Sequence, residues 1–256
     1  MQYLHEQVLV RGKSTEILTV GEGPPLLYLH GAGGEVAELP FFDSLAERFR
    51  VFVPAHPGFG ESSGLDEIDS IEDLVFHYTD LIETLEVEAP AMVGLSLGGW
   101  LAAEFATRYS DRLSALVLIA PVGMRPPAGD IFSASPRELR ELVFSEPDSE
   151  LARSFVPDAA SPGVIERAAR AKQATARVGW NPYLHNRKLA DRLYRVAVPT
   201  LVLAAGADRL VPVEHCRLYA DGIADSEFVC VDGAGHALPL ERPEECAKIV
   251  SEFLAR

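Results

Sequence analysis

The sequence predicts an α/β fold: a mostly parallel central sheet flanked by helices, with a helical insertion in the middle of the chain. Three observations predict it. Short apolar runs alternate with amphipathic segments on both sides of residues 123–190, the pattern of strands joined by crossover helices. Several of those runs are apolar throughout, as strands covered on both faces are. Residues 123–190 break the alternation with seven prolines, helical stretches and no convincing strand.

Taken in order, "EQVLV" (6–10) and "EILTV" (16–20) form a hairpin that turns near Gly12 and adds antiparallel strands at one edge. "PLLYLHG" (25–31) is a buried strand, "PFFDSLAERF" (40–49) a short helix and "VFVPA" (51–55) a further buried strand. The clearest helix is 70–86. Ile71, Leu74, Val75, Tyr78, Leu81, Ile82 and Leu85 fall on one face, and Ser70 with Asp73 resembles a capping box. A strand (90–94), a helix (97–108) and a strand (114–120) follow. After the insertion come a strand (199–207), a helix (213–220), a strand (227–231) and a closing helix (243–255). Within the insertion, 135–144 and 161–173 each begin with Ser-Pro, a cap followed by proline in the first turn. The expected organisation is therefore a core of residues 1–122 and 191–256 and a cap of residues 123–190. Placed at strand ends, such a cap covers the carboxyl edge of the sheet, where open α/β sheets bind ligands.

Composition narrows the function. At 256 residues and 48% hydrophobic, the chain can bury a sizeable core. A net charge of -15 argues against nucleic acid as a partner. The charge is uneven: residues 123–190 hold 10 Lys/Arg against 8 Asp/Glu, and the remainder holds 13 against 30. The longest apolar run, "ALVLIAPV" (115–122), is far below the ~20 residues of a membrane span. The first residues lack the basic start and apolar block of a signal peptide. Cys216, Cys230 and Cys246 are odd in number and without C-x-x-C spacing, which suits reduced thiols in a cytoplasmic protein and offers no zinc site. The expectation is a cytoplasmic protein acting on a small molecule, without metal, cofactor, nucleic acid or membrane.

The chemistry centres on "GLSLGG" (94–99), a serine between glycines, after a strand and before a helix. Glycines on either side of Ser96 fit a tight turn with the hydroxyl at its tip. A serine hydroxyl needs a base, a group to orient that base, and donors for the oxyanion that forms. His236 lies in a glycine-rich loop after the last strand, and Asp208 follows the preceding strand. The other histidines read as structural or surface groups: His30 shapes a turn, and His56, before Pro57, reads as a solvated loop residue. The oxyanion donors expected are the backbone amides of Leu97, at the start of a helix, and Ala32, with Gly33 as the fallback. Met124 and Trp180 could touch substrate. Arg137, Arg140, Arg153 and Arg177 read as solvated helix faces.

These features together resemble the α/β-hydrolase fold superfamily, and within it the esterase-like bacterial serine hydrolases that carry a helical cap. The matching segments are "HGAGG" (30–34), "HPGFGES" (56–62), "GLSLGG" (94–99), "GADRLVP" (206–212) and "GAGHALPLERPEE" (233–245), which span nearly the whole chain outside the cap. The resemblance implies a Ser96–Asp208–His236 triad in that chain order and no cofactor. Ala55 stands where many relatives have an aspartate, in a position that is usually structural. The expected activity is hydrolysis of a carboxylic ester through an acyl-enzyme. Carbon–carbon bond or enol-lactone hydrolysis with the same triad is an alternative, although Ala237, not an aromatic, follows His236. A non-catalytic small-molecule receptor is the alternative of another class. A dinucleotide site is excluded, because "GAGGEV" lacks the third glycine and the next strand ends without an acidic residue.

Overall fold

The structure is a computed structural model, and it describes residues 1–34 and 36–256. Strands β1 (Tyr3–Val10) and β2 (Lys13–Val20) form the expected hairpin, followed by β3 (Pro25–Leu29), α1 (Pro40–Ala46), β4 (Arg50–Pro54) and α2 (Ile71–Thr84). Next come β5 (Ala91–Leu95), α3 (Leu97–Tyr109) and β6 (Ala115–Ile119). Between β6 and β7 (Thr200–Ala205) the described elements are α4 (Pro136–Val143), α5 (Glu150–Phe155), α6 (Pro162–Gly179) and a 3-10 helix. The chain closes with α7 (Val213–Gly222), β8 (Ser226–Val231), α8 (Leu238–Glu241) and α9 (Pro243–Leu254).

The eight strands make one sheet in the order β1-β2-β4-β3-β5-β6-β7-β8. Pairing is antiparallel for β1 with β2 and for β2 with β4, and parallel from β4 to β8. The alpha/beta hydrolase fold expected from the sequence is thus the one observed. Side chains alternate across the parallel strands, which explains why these strands read as continuous apolar runs. Leu27, Met92, Leu116 and Val202 enter one core, with α2, α3 and α7. Leu26, Val93, Val117 and Leu203 enter the other, with α1 and α9.

Local signals account for the helix starts. Ser70 accepts from the Asp73 amide while the Asp73 side chain accepts from the Ser70 amide, the capping box read from the sequence. Ser135 and Glu138 do the same at α4. Ser161 precedes Pro162 at α6 without a side-chain cap bond, and that helix runs on to Gly179, six residues past the expected end. Ala171, Ala174 and Thr175 form a buried stripe along it at helical spacing. The two ends of the segment between β6 and β7 are tied together, since Gly123 N–H donates to Leu184 O and Asn186 N–H donates to Gly123 O.

Two sequence readings need correction. His56 is fully buried, not solvated, because the chain folds its loop back beneath β3 and α2. Arg140 is only 2% exposed. Its guanidinium donates to the carbonyls of Pro147 and Val156 and to Asp158, so it pins α4 to the chain around α5. Arg137, Arg153 and Arg177 are engaged at the surface, with Glu141, with Asp148, and with Asp66 and Asp69 respectively.

Candidate active site

Ser96 sits at the junction of β5 and α3 with φ 54° and ψ -110°, a conformation that side chains other than glycine rarely adopt. The turn is held by Ser96 N–H donating to Ile119 O, and by Ser96 O accepting from the amides of Trp100 and Val122. Its glycines are there for space. A Cβ at Gly94 would overlap the Gly98 backbone, and a Cβ at Gly98 would overlap the Leu29 carbonyl. Only with both positions bare can α3 start directly above β5, which leaves Ser96 at the helix N-terminus. Leu97 is the first residue of α3, so its amide has no intrahelical partner and faces outward with the positive end of the helix. The loop after β3 lies alongside, and a Cβ on Gly31 would be 3.5 Å from the Ser96 Cβ. Ala32 is partly buried there and Gly33 is exposed.

Asp208 follows β7 and His236 follows β8. The Asp208 side chain is fully buried. Its Oδ1 accepts from the amides of Leu210 and Val211, at 2.8 and 2.7 Å, and its Oδ2 accepts from His236 Nδ1 at 2.7 Å. That bond places the His236 proton on Nδ1 and leaves Nε2 free to accept. The two loops are laced together, since Ala207 N–H donates to Ala234 O and Gly206 N–H to Val231 O. Ser96, Asp208 and His236 therefore stand at one edge of the sheet, the carboxyl ends of β5, β7 and β8. Ser96 and His236 share no hydrogen bond among the described residues; such contacts often tighten only around substrate. Ser96 and His236 keep 6% and 5% exposure, a narrow access from solvent.

Sequence reasoning missed Glu241. Its carboxylate accepts from the amides of Gly235 and Ser145 and from the Ser145 hydroxyl. It joins the histidine loop to the end of α4. The available signal was the run "HALPLERPEE", in which an acid follows the histidine by five residues, one helical turn into α8. Tyr78 was read as part of a helix face. It is that, and its hydroxyl also meets the His56 ring.

Met124 packs partly buried against the core cluster that holds α2 and α3. Trp180 is 65% exposed and lines two open clefts. One cleft, of about 400 Å³, also includes Trp100, Arg177, His185 and Asn186. Neither cleft is lined by Ser96, Asp208 or His236. Among the described residues no cluster of three His, Cys, Asp or Glu side chains could hold a metal ion. No described helix is long and apolar enough to cross a membrane.

A parallel sheet with a serine on a strained strand–helix turn, and an acid–histidine pair at the same edge, defines the class of α/β hydrolases. The chain belongs to the alpha/beta hydrolase family, whose model matches residues 26–249, and it is a hydrolase. It is 29% identical to 2-hydroxymuconate semialdehyde hydrolase of Pseudomonas sp. strain CF600, over 97% of this chain and 93% of the relative. It is 25% identical to the human (Homo sapiens) monoacylglycerol lipase ABHD6, over 92% of this chain and 76% of that one. The fold also matches the 2-hydroxy-6-oxo-6-phenylhexa-2,4-dienoate hydrolase of Rhodococcus sp. strain RHA1, with a TM-score of 0.81 and 22% identity, over 100% of this chain and 99% of that one.

Proposed function

We propose that the protein is a serine hydrolase of small carboxylic esters, with Ser96 as nucleophile, His236 as base and Asp208 as the group that orients it. The observation that carries this reading is the 2.7 Å Asp208–His236 bond, at the sheet edge where Ser96 stands on its strained turn. His236 Nε2 takes the Ser96 proton, and the alkoxide attacks the ester carbonyl. The amides of Ala32 and Leu97 receive the oxyanion. The alcohol departs with the proton from His236, and water activated by the same ring releases the acid and restores the serine. Residues 123–190 act as a cap that shapes the pocket and limits water. The three free cysteines suit a reducing, cytosolic setting.

A second reading, carbon–carbon bond hydrolysis, is favoured by the name of the Pseudomonas relative. The surroundings of Ala237 weigh against it. Its amide donates to Val143 O, and its methyl is buried against Phe144 and Ala152, which leaves no space for an aromatic after the histidine. The test has two parts. A fluorophosphonate probe should label Ser96, and no labelling would leave a receptor role instead. Then kcat/KM for p-nitrophenyl esters of rising chain length is compared with that for a 2-hydroxy-6-oxo-dienoate; faster turnover of the dienoate would overturn the ester assignment.

A further inference from the structure

Beneath the serine lies a buried chain of hydrogen bonds in which the position of every proton is fixed. His30, His56 and Tyr78 are all fully buried. The His56 backbone N–H donates to His30 Nε2 at 3.0 Å, so that nitrogen is bare and the proton sits on Nδ1. His30 Nδ1–H then donates to the Gly31 carbonyl at 2.7 Å. His56 Nε2 faces the His30 carbonyl at 3.0 Å, so it must carry the proton and Nδ1 must be bare. The Tyr78 hydroxyl, on α2, donates to that Nδ1. The two imidazoles lie against each other, with centroids 3.7 Å apart. Burial keeps both rings neutral, with His30 lowered to about 4 and His56 well below its ordinary value, and it keeps the Tyr78 phenol protonated.

The end of this chain is what matters. The Gly31 carbonyl and the Ala32 amide belong to one planar, trans peptide group, so the direction of one sets the direction of the other. A peptide following glycine flips easily, because no Cβ resists the change in ψ. With its carbonyl held by His30 Nδ1–H at 2.7 Å and, from within the loop, by the Gly34 amide at 3.2 Å, this peptide has its N–H turned to the opposite side. Resting on the ester-hydrolase reading above, we propose that Tyr78, His56 and His30 are positioning residues that aim the Ala32 amide at the oxyanion. Tyr78 selects the His56 tautomer, and that tautomer anchors the His30 carbonyl. The His56 amide selects the His30 tautomer, and that tautomer holds the Gly31 carbonyl. None of the three touches substrate.

The test uses the full-length protein with a p-nitrophenyl ester and a trifluoromethyl ketone, an inhibitor that forms an oxyanion when the serine adds to it. Removal of a whole oxyanion donor costs about 10²–10³ in kcat, so loss of its aim should cost less. His30→Phe is expected to lower kcat roughly 30-fold and Tyr78→Phe roughly 5-fold, with KM within twofold. The ketone should weaken by the same factors, whereas a non-hydrolysable amide analogue of the ester should bind unchanged. Equal losses for the ketone and the amide would show a merely structural role and overturn the proposal. Nitrogen-15 spectra of the native imidazoles require no variant: His30 should carry its proton on Nδ1 and His56 on Nε2, and either opposite tautomer also overturns it. Ser96→Ala separates the two levels. If it retains activity, the ester reading falls and the positioning role with it. If it is inactive while Tyr78→Phe and His30→Phe match the wild type, only the positioning role falls.

Discussion

The serine side of the site rests on the sheet and its core, whereas the histidine side rests on the loop after β7 and also on the segment between β6 and β7. Around Ser96 the braces are Gly94 and Gly98 against backbone, the Ile119 carbonyl, and the buried His30–His56–Tyr78 chain. All of these belong to strands β3 to β6 and the helices and loops beside them. Around His236 the braces come from elsewhere. Val143 O holds the Ala237 amide, Glu241 bridges Gly235 and Ser145, and Arg209, next to Asp208, donates to the carbonyls of Glu141 and Phe144. The nucleophile is fixed by groups that cannot shift without disturbing the core. The base is held in part by groups of residues 141–145. Changes in that segment are therefore expected to affect the histidine more than the serine.

The largest expected effect tests whether the two sides act as one unit. Ser96→Ala should lower ester turnover by about 10⁴–10⁶. Asp208→Asn should cost about 10⁴, because an amide there no longer selects the Nδ1–H tautomer of His236. Both are read from kcat with p-nitrophenyl acetate, beside thermal melts that should show Ser96→Ala within about 0.5 kcal/mol of wild type. A loss below tenfold in either variant would break the comparison, since the sides would then not meet in one reaction.

A middle-sized effect distinguishes the braces. Glu241→Gln places an amide donor opposite the Gly235 or Ser145 amide, so the histidine loop loosens from α4. The expected result is a roughly tenfold fall in kcat with a displaced acid limb of the pH–rate profile. Tyr78→Phe, on the serine side, should leave that limb in place. The same displacement in both variants would mean that the two sides are not held separately.

Stability against pH sharpens the picture of the serine side. Burial lowers His30 and His77 from 6.5 to about 4, and His56 falls well below 6.5 because of burial and the neighbouring His30. For His77 the Lys13 charge adds to the lowering and Asp80 opposes it. In the unfolded chain these rings take up protons as pH falls below 6.5, while in the folded protein His30 and His77 do not until about 4 and His56 stays neutral well below 6.5. Stability is therefore full above pH 7 and is lost as pH falls from 6.5 toward 4. Each ring contributes a slope of at most about 1.4 kcal/mol per pH unit. Thermal melts from pH 7.5 to 4.5 should show the fall, and His77→Gln should flatten it. An unchanged slope in that variant would mean that other groups carry the acid sensitivity.

The smallest effect concerns the arginines of residues 123–190. Arg137, Arg140, Arg153 and Arg177 already have carboxylate partners. A monoester of a dicarboxylic acid and its methyl-capped analogue should then differ in kcat/KM by less than about threefold, with little response to salt. A tenfold preference for the acid would place a cap cation in the pocket.

Much of this molecule was legible before folding was considered. The strands around Leu27, Met92, Leu116 and Val202 were visible as apolar runs, since a parallel sheet covered on both faces permits nothing else. The Ser70–Asp73 box and the glycines beside Ser96 were visible because they act within a few residues of one another. His56 and Arg140 were misread for the opposite reason. A histidine before a proline and an arginine on a short helix look exposed when only neighbours in sequence are considered. Their partners lie 22 and 26 positions away for His56, and 7, 16 and 18 for Arg140.

The sequence by itself determined the alternation of strands and helices on either side of residues 123–190 and singled out Ser96, Asp208 and His236 as candidates, because periodicity, capping and turn chemistry are local. Only the tertiary structure decided which nitrogen of His30 and of His56 carries a proton, that His30 meets the Gly31 carbonyl, and that Glu241 ties the histidine loop to the chain after α4. Those assignments follow from which donors meet which acceptors once water has been excluded. Burial makes an unpaired polar group costly, so it is packing between distant segments that selects the partners.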